Sequence, residues 1–258
     1  MQHFVFYFVF KKVINNQKLK QMKSKFVILS ILAFSLFFSQ TILAQFVKGN
    51  GNVTKSNREI SGINYVQVED GIDLYLYMNG NEKLGIEADE NLHNLIKTEK
   101  DGDKLRIYLS KSVRKAKSLK VHLSVLDLKG VKASGGSDVD SRNLIKVNDL
   151  SLVCSGGSDI NMEVETNELK CKASGGSDID LFGKAKIFRA AASGGSDIEA
   201  FKLESEECYV EVSGGSDANV YATSKLFVKA SGGSDVSYKG NPQPINANMS
   251  GGSDLHHE

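Results

Sequence analysis

The sequence predicts an all-β fold, a parallel β-helix (solenoid) with rungs of about 19 residues. Three observations predict it. The pentapeptide Ser-Gly-Gly-Ser-Asp occurs seven times, beginning at Ser134, Ser155, Ser174, Ser193, Ser213, Ser231 and Ser250. The steps between copies are 21, 19, 19, 20, 18 and 19 residues. A short, nearly fixed period marks an architecture in which each repeat packs only on its neighbours. The residues on both sides of each copy alternate apolar and polar, the period of a half-buried strand. Finally, 14 of the 24 glycines lie inside the copies. A sharp repeated corner needs the positive φ and close backbone approach that glycine tolerates.

Each rung resolves into strand, corner and strand. After the motif Asp come Val139, Ile160, Ile179, Ile198, Ala218, Val236 and Leu255. Two places further, Met162, Leu181, Ala200, Val220 and Tyr238 return to apolar or aromatic character. Asp140, Asn161, Asp180, Glu199 and Asn219 stand between them. Before each motif, the inward columns include Ala133, Cys154, Ala173, Ala192, Val212 and Ala230, and then Val131, Leu152, Cys171, Ala190, Val210 and Val228. The predicted corners are Gly135-Gly136, Gly156-Gly157, Gly175-Gly176, Gly194-Gly195, Gly214-Gly215 and Gly232-Gly233. Stacked strands ~4.8 Å apart give a rod of roughly 35 Å for seven rungs. The repeat region is residues 134–258, and its Ser, Asp and Asn residues read as outward ladders.

Residues 45–133 read as an N-terminal cap, since solenoids need atypical ends. Within it, Val66 to Leu76 aligns with Val210 to Val220 in alternation, in the second glycine and in the Asp, and so predicts one degenerate rung. Glu90 to Ile96 predicts a short helix. Asp101-Gly102-Asp103 predicts a hairpin turn leading into the strand Leu105 to Leu109, and Leu119 to Val125 predicts another strand. Pro242 and Pro244, the only two prolines, predict a blunted sheet edge in the last turn.

The first 44 residues hold six lysines and no acid. Met22 to Lys25 supplies a basic start, Phe26 to Leu43 an apolar run, and Ala44 a small residue at a cleavage point. Residues 1–44 therefore predict a secretory signal peptide, with residues 1–21 upstream of the true start and no membrane span after cleavage. The competing reading is an uncleaved single-span anchor. Without these residues the chain holds 26 Lys+Arg against 31 Asp+Glu, a net charge of −5. Residues 134–258 carry 11 basic and 19 acidic side chains, a net of −8. An acidic rod excludes nucleic acid as a natural partner. Cys154, Cys171 and Cys208 occupy inward positions on different rungs, with no zinc spacing, and predict buried free thiols.

Several segments together carry a family resemblance. They are the Val66-x-Val68-x-x-Gly71-x-Asp73-Leu74 pattern, Glu87-Ala88-Asp89-Glu90-Asn91-Leu92, Lys104-Leu105-Arg106-Ile107-Tyr108-Leu109, the serial corners, and Tyr238-Lys239-Gly240-Asn241-Pro242. From about Ile60 to Asp254 the chain resembles the bacterial family described as "putative auto-transporter adhesin, head GIN domain", formerly a domain of unknown function. The resemblance implies a right-handed parallel β-helix on exported proteins, many from Bacteroidetes-like bacteria. The family has no established catalytic residues to carry over. This chain has Gly at the third motif position, where relatives often show Ala.

The expected function is an exported, non-enzymatic adhesin or envelope-surface module in the periplasm, on the cell surface or secreted. Its partner would be an extracellular or envelope glycan or protein, and no cofactor is expected. A polysaccharide-active β-helix enzyme is the first alternative. Such enzymes need a groove, carboxylates and aromatic platforms, whereas this chain has no Trp, short uniform turns and carboxylates that recur as a lattice. A calcium-binding rod is the second alternative, with candidate ligands Asp138, Asp159, Asp178, Asp197, Asp217 and Asp235. No metal is expected there, because a turn Asp ordinarily accepts local backbone N–H groups. His256 and His257 read as a frayed tail.

Overall fold

The computed structural model describes residues 46–258, so the signal peptide predicted over residues 1–44 lies outside the described residues. Strands stack in parallel into a β-solenoid of about seven turns. One ladder holds the strands that precede the corners. Its spatial order runs from Lys104–Leu109 through Tyr65–Val68, Gly130–Ser134 and Asp149–Ser155 to the later rungs, ending on Ile245–Gly251. A second ladder holds the strands after the corners, from Leu119–Ser124 through Asp73–Tyr77 and Asp138–Ser141 to Val236–Lys239 and Leu255–His257.

The predicted columns are the observed ones. Ala133, Cys154, Ala173 and Ala192 are successive register partners, as are Leu152, Cys171 and Ala190. All are buried in one continuous core. Each fully buried aliphatic contributes roughly 1.5–3 kcal/mol before chain entropy is subtracted. The three cysteines are free and buried. Cys154 pairs in register with Ala173 and Cys171 with Leu152, which leaves the two thiols two residues out of column. Burial pushes the thiols up, Cys154 to about 12 and Cys208 to about 11, and Cys171 in the same direction.

The degenerate rung stacks directly on the first motif rung. Val66 partners Val131, Val68 partners Ala133 and Leu74 partners Val139. Its corner keeps the motif's backbone without the motif's letters. Asp70 adopts φ of +65° where the repeats have their first Gly, and Gly71 follows at +74°. Ile72 takes the place of the motif's second serine and is fully buried.

That second serine points inward, contrary to its reading as part of an outward ladder. Ser137, Ser158, Ser177, Ser196, Ser216 and Ser234 are all 0 % exposed. All but Ser234, whose hydroxyl donates to the Ser231 carbonyl of its own corner, join rungs through their hydroxyls. Ser158 Oγ accepts the Ser137 N–H at 3.0 Å, and Ser216 Oγ accepts the Gly195 and Ser196 N–H groups, both at 3.1 Å. Ser137 Oγ accepts the Gly71 and Ile72 N–H groups at 3.1 Å each. Ser177 Oγ lies 3.0 Å from both the Cys154 and Ser174 carbonyls, to which it donates. Such buried N–H groups left without an acceptor would cost about 1–3 kcal/mol each.

The segment between the degenerate rung and the first motif rung builds the cap. Lys83–Asp89 runs antiparallel to both Val53–Arg58 and Leu119–Ser124, widening the second ladder. The predicted hairpin is Ile96–Asp101 against Lys104–Leu109, turning at Gly102 with φ of +60°. The predicted helix over 90–96 shrinks to one 3₁₀ turn, Glu90–Leu92. Ile96 already belongs to a strand paired with Leu109, so the chain has no room for a second helical turn. Asp89 anchors the entry to this turn. Its buried carboxylate accepts the N–H groups of Gly51, Lys117 and Ser118 at 2.5, 2.8 and 3.0 Å. Pro242 and Pro244 lie in the last turn, as expected, and outside the strands themselves. That turn delivers Ile245–Gly251, which pairs fully with Leu226–Gly232.

A second sharp corner occurs at Gly183, whose φ is +107°; a Cβ there would stand 2.1 Å from the Val164 carbonyl oxygen of the neighbouring rung. Gly183→Ala is expected to destabilise the fold by about 2–4 kcal/mol, combining backbone strain and displaced packing. Gly102→Ala, with nothing within 4 Å of the added Cβ, is expected to cost about 1–2 kcal/mol. Urea unfolding of the two variants checks this, and equal losses would contradict the close rung contact.

Candidate binding face

Two outward surfaces frame the functional question, the aspartate column and the ladder before the corners. The motif aspartates do form a column. The carboxylate of Asp178 accepts the Asp197 N–H at 3.3 Å, Asp197 accepts from Asp217 at 3.1 Å, Asp217 from Asp235 at 3.0 Å, and Asp235 from Asp254 at 3.1 Å. The Asp138 carboxylate takes the Asp159 N–H in the same way. Asp138, Asp178, Asp197, Asp217 and Asp235 thus each bind a backbone donor of the next rung, which offsets their closeness to like charges, whereas the Asp178 N–H goes to the Ser158 carbonyl.

Burial, and after it charge crowding, shows in the titration of Asp138 and Asp180. Burial, and then Asp159, Asp73 and Asp140, push the Asp138 carboxyl up from its ordinary value. Burial, and then Glu199, Asp178 and Asp159, do the same to Asp180. Among the described residues, potential ligand atoms converge only where Asp235 meets Asp254 and His256, within 4.8 Å of one another at an exposed position. Asp138, Asp159, Asp178, Asp197 and Asp217 join no such convergence. The two histidines are not a frayed tail. His256 pairs in register with Ser237 in the strand Leu255–His257. The His257 ring stacks on Tyr238 with centroids 4.6 Å apart, and its Nε2 lies 2.8 Å from the Gly240 carbonyl oxygen.

The ladder before the corners presents a different surface. Lys170, Arg189, Tyr209, Phe227 and Asn246 are successive register partners on its outer side. The Arg189 guanidinium sits 4.2 Å from the Tyr209 ring centroid. The Tyr209 and Phe227 rings stack 4.9 Å apart and 2° from parallel. The stack is held from one side by acids. Glu168 accepts from Arg189 Nε at 2.8 Å. Glu207 accepts from Lys225 Nζ at 2.7 Å and from the Tyr209 hydroxyl at 2.9 Å. The hydrogen bond from Arg189 holds the Glu168 carboxyl below the usual carboxylate range, and that from Lys225 does the same for Glu207.

On the other side of the stack, the small Ala191 leaves a shallow groove of about 630 Å³ beside Lys172, Tyr209, Phe227, Asn246 and Asn248. Exposed ion pairs contribute about 0–1 kcal/mol each to folding, and an exposed cation over a ring adds about 0.5–1 kcal/mol. Folding therefore gains little from this stack. Tyr and Arg are the residue types that dominate contact energy at interfaces. Alternation places Tyr209 and Phe227 outward in the sequence, so the signal was two aromatic residues at outward positions of consecutive rungs. Sequence reasoning weighed only the absence of Trp and missed them.

With this geometry in place, the chain can be compared with known proteins. The sequence pattern of the family described as "Putative auto-transporter adhesin, head GIN domain" matches residues 63–242, more than two thirds of the chain. The chain belongs to this family. No curated protein matches it. Its fold is similar to that of "a putative adhesin" from Bacteroides fragilis, with a TM-score of 0.79 and 21% identity over 82% of this chain and 100% of the other. It is also similar to "a putative adhesin" from Parabacteroides merdae, with a TM-score of 0.68 and 22% identity over 83% and 99% of the two chains. A "putative lipid binding protein" from Parabacteroides distasonis has a TM-score of 0.68 and 21% identity over 83% and 100%. At these identities the likeness establishes a shared fold.

The crowded aspartates make a prediction. Asp138 and Asp180 have folded-state values above the ordinary 3.8. Between the unfolded and folded values the native protein binds more protons, so stability falls as pH rises through that window. Asp138→Asn and Asp180→Asn are each expected to raise the urea midpoint slightly at pH 7, with the gain vanishing as the pH falls to about 3.8. A gain that persists at low pH, or a loss at pH 7, would contradict the crowding.

Proposed function

We propose that the protein is an exported, non-enzymatic surface module that holds an envelope or extracellular partner against the outer side of the ladder before its corners. The observation that carries this reading is the Arg189–Tyr209–Phe227 stack beside the Ala191 groove. It offers a flat aromatic and cationic surface on a rigid support, with its charges positioned by Glu168 and Glu207 before any partner arrives. Preorganisation of this kind lowers the entropic cost of association. Family membership supports the adhesin reading, and the basic, then apolar, N-terminal 44 residues support export.

The polysaccharide-active alternative finds less support. The motif carboxylates repeat along a column and bind backbone N–H groups of adjacent rungs. A hydrolytic site instead needs two carboxyls set apart around one bond, roughly 5–9.5 Å from each other, with different protonation states.

Affinity capture from extracts of cells or matrix that the bacterium contacts tests the proposal. The wild-type protein and the Tyr209→Ala/Phe227→Ala variant would be compared. A partner retained by the wild type and reduced at least tenfold with the variant, at an unchanged melting temperature, is the expected result. Equal retention by both would remove this face from the function, and polysaccharide turnover by the purified protein would replace the reading with an enzymatic one.

A further inference from the structure

The cap contains a concavity of its own. Three strands widen the second ladder at its N-terminal end, and their register sets the outward side chains in transverse rows. Asn57, Gly85, His122 and Tyr75 form one row; Lys83, Ser124 and Tyr77 form the next. Gly85 has no side chain in the middle of its row, and the sheet is hollowed there. A Cβ at Gly85 would meet Asn57 Oδ1 at 3.5 Å and His122 Cβ at 3.9 Å, ordinary contacts, so the glycine is not required by packing. Its φ lies outside the left-handed region, so the backbone does not require it either. What the glycine leaves is space, within a groove of about 420 Å³.

The groove is lined by polar groups that the fold does not use. The side chains of Asn57, Asn81 and Lys83 make no hydrogen bond or ion pair among the described residues. The Ser124 hydroxyl lies between the Asn79 side-chain amide and the Asn81 backbone carbonyl, 2.7 Å from the latter, and holds the Asn79 amide at the groove. One wall is aromatic. His122 packs against Tyr75 with centroids 5.1 Å apart and against Tyr77 at 6.3 Å, and the Tyr77 hydroxyl is 3.4 Å from His122 Nδ1. Lys55 reaches Glu87 at 3.0 Å on the rim, which leaves Lys83 as the groove's lysine without an ion pair among the described residues.

Amide side chains offer a donor and an acceptor side by side, which matches neighbouring hydroxyls that must both give and take hydrogen bonds. An aromatic edge beside them matches the apolar C–H face of a sugar ring. A lipid chain would leave the amides unpaired at a cost of about 1–3 kcal/mol each. A phosphate-rich ligand would call for more than one free cation.

We propose that this groove, floored by Gly85 and walled by Asn57, Asn81, Lys83, Tyr77 and His122, is an oligosaccharide-binding site, separate from the Arg189–Tyr209–Phe227 face. Binding of the purified protein to an array of neutral and acidic oligosaccharides tests it. The variants are Asn81→Ala, which removes one amide, and Gly85→Val, which fills the floor with a strand-compatible side chain. The expected result is saccharide binding by the wild type, weakened at least tenfold by each variant at unchanged melting temperature, and unaffected by Tyr209→Ala/Phe227→Ala. Binding confined to acidic sugars would assign Lys83 to a carboxylate, and Lys83→Ala would then abolish it. Absence of any saccharide binding, or binding that survives Gly85→Val, would overturn the proposal. Loss of binding only with the Tyr209→Ala/Phe227→Ala variant would overturn it too, and would leave the aromatic face as the saccharide site.

Discussion

The whole rod depends on how each corner disposes of its backbone N–H groups. One or two residues at positive φ turn the chain sharply at every corner and interrupt the regular ladder. The motif supplies side-chain acceptors beside the backbone carbonyls that take the remaining corner N–H groups. An inward serine hydroxyl takes the N–H of an adjacent rung, as Ser216 does for Gly195 and Ser196. An outward carboxylate takes the N–H of the next aspartate, as Asp217 does for Asp235. Both connections run between rungs. They therefore fix register as well as satisfy donors, and a slip by one residue would break every one of them while turning each inward aliphatic to solvent. The five-letter motif is a fold requirement, which explains why it recurs without variation and why no single copy stands out as a site.

The same constraint decides where function can be placed. The aspartate column is largely committed to the backbone, and burial and crowding in and beside it show in the raised carboxyls of Asp138 and Asp180. The surfaces left free are those where the repeat is silent or broken. On the strands before the corners, the outer positions vary from Lys170 to Arg189, Tyr209, Phe227 and Asn246. In the cap, Gly85 opens a hollow among strands that follow no repeat. A regular scaffold with local departures suits a recognition module, because recognition sites are held best on rigid elements.

Much of this was legible from residues alone, for a physical reason. Period-two alternation and a motif at a fixed offset determine which side chains share a column. Cys154 and Cys171 thus fall in different columns of the sequence, and the degenerate rung at Val66 to Leu76 is marked by its alternation together with Gly71 and Asp73. Three things were hidden. The second motif serine looked like a surface residue, because serine is ordinarily exposed and its inward position becomes evident only once two glycines are counted as a corner. The cap's antiparallel pairings depend on contacts between Val53–Arg58, Lys83–Asp89 and Leu119–Ser124, which have no repeat to align. The groove was invisible because it arises from a missing side chain at Gly85 and from register between strands more than 25 residues apart in sequence.

Native-state hydrogen exchange at the corners tests the central claim most directly. If Ser216 Oγ is the acceptor that holds adjacent rungs together, the Gly195 and Ser196 amides exchange as slowly as amides inside the strands. In Ser216→Ala those two amides are expected to speed up at least tenfold more than the amides of Ile160 and Ile179, two or more rungs away. Fast exchange of Gly195 and Ser196 in the wild-type protein, comparable to the exposed turn at Gly102, would show that the buried serine does not join the rungs and would contradict the account.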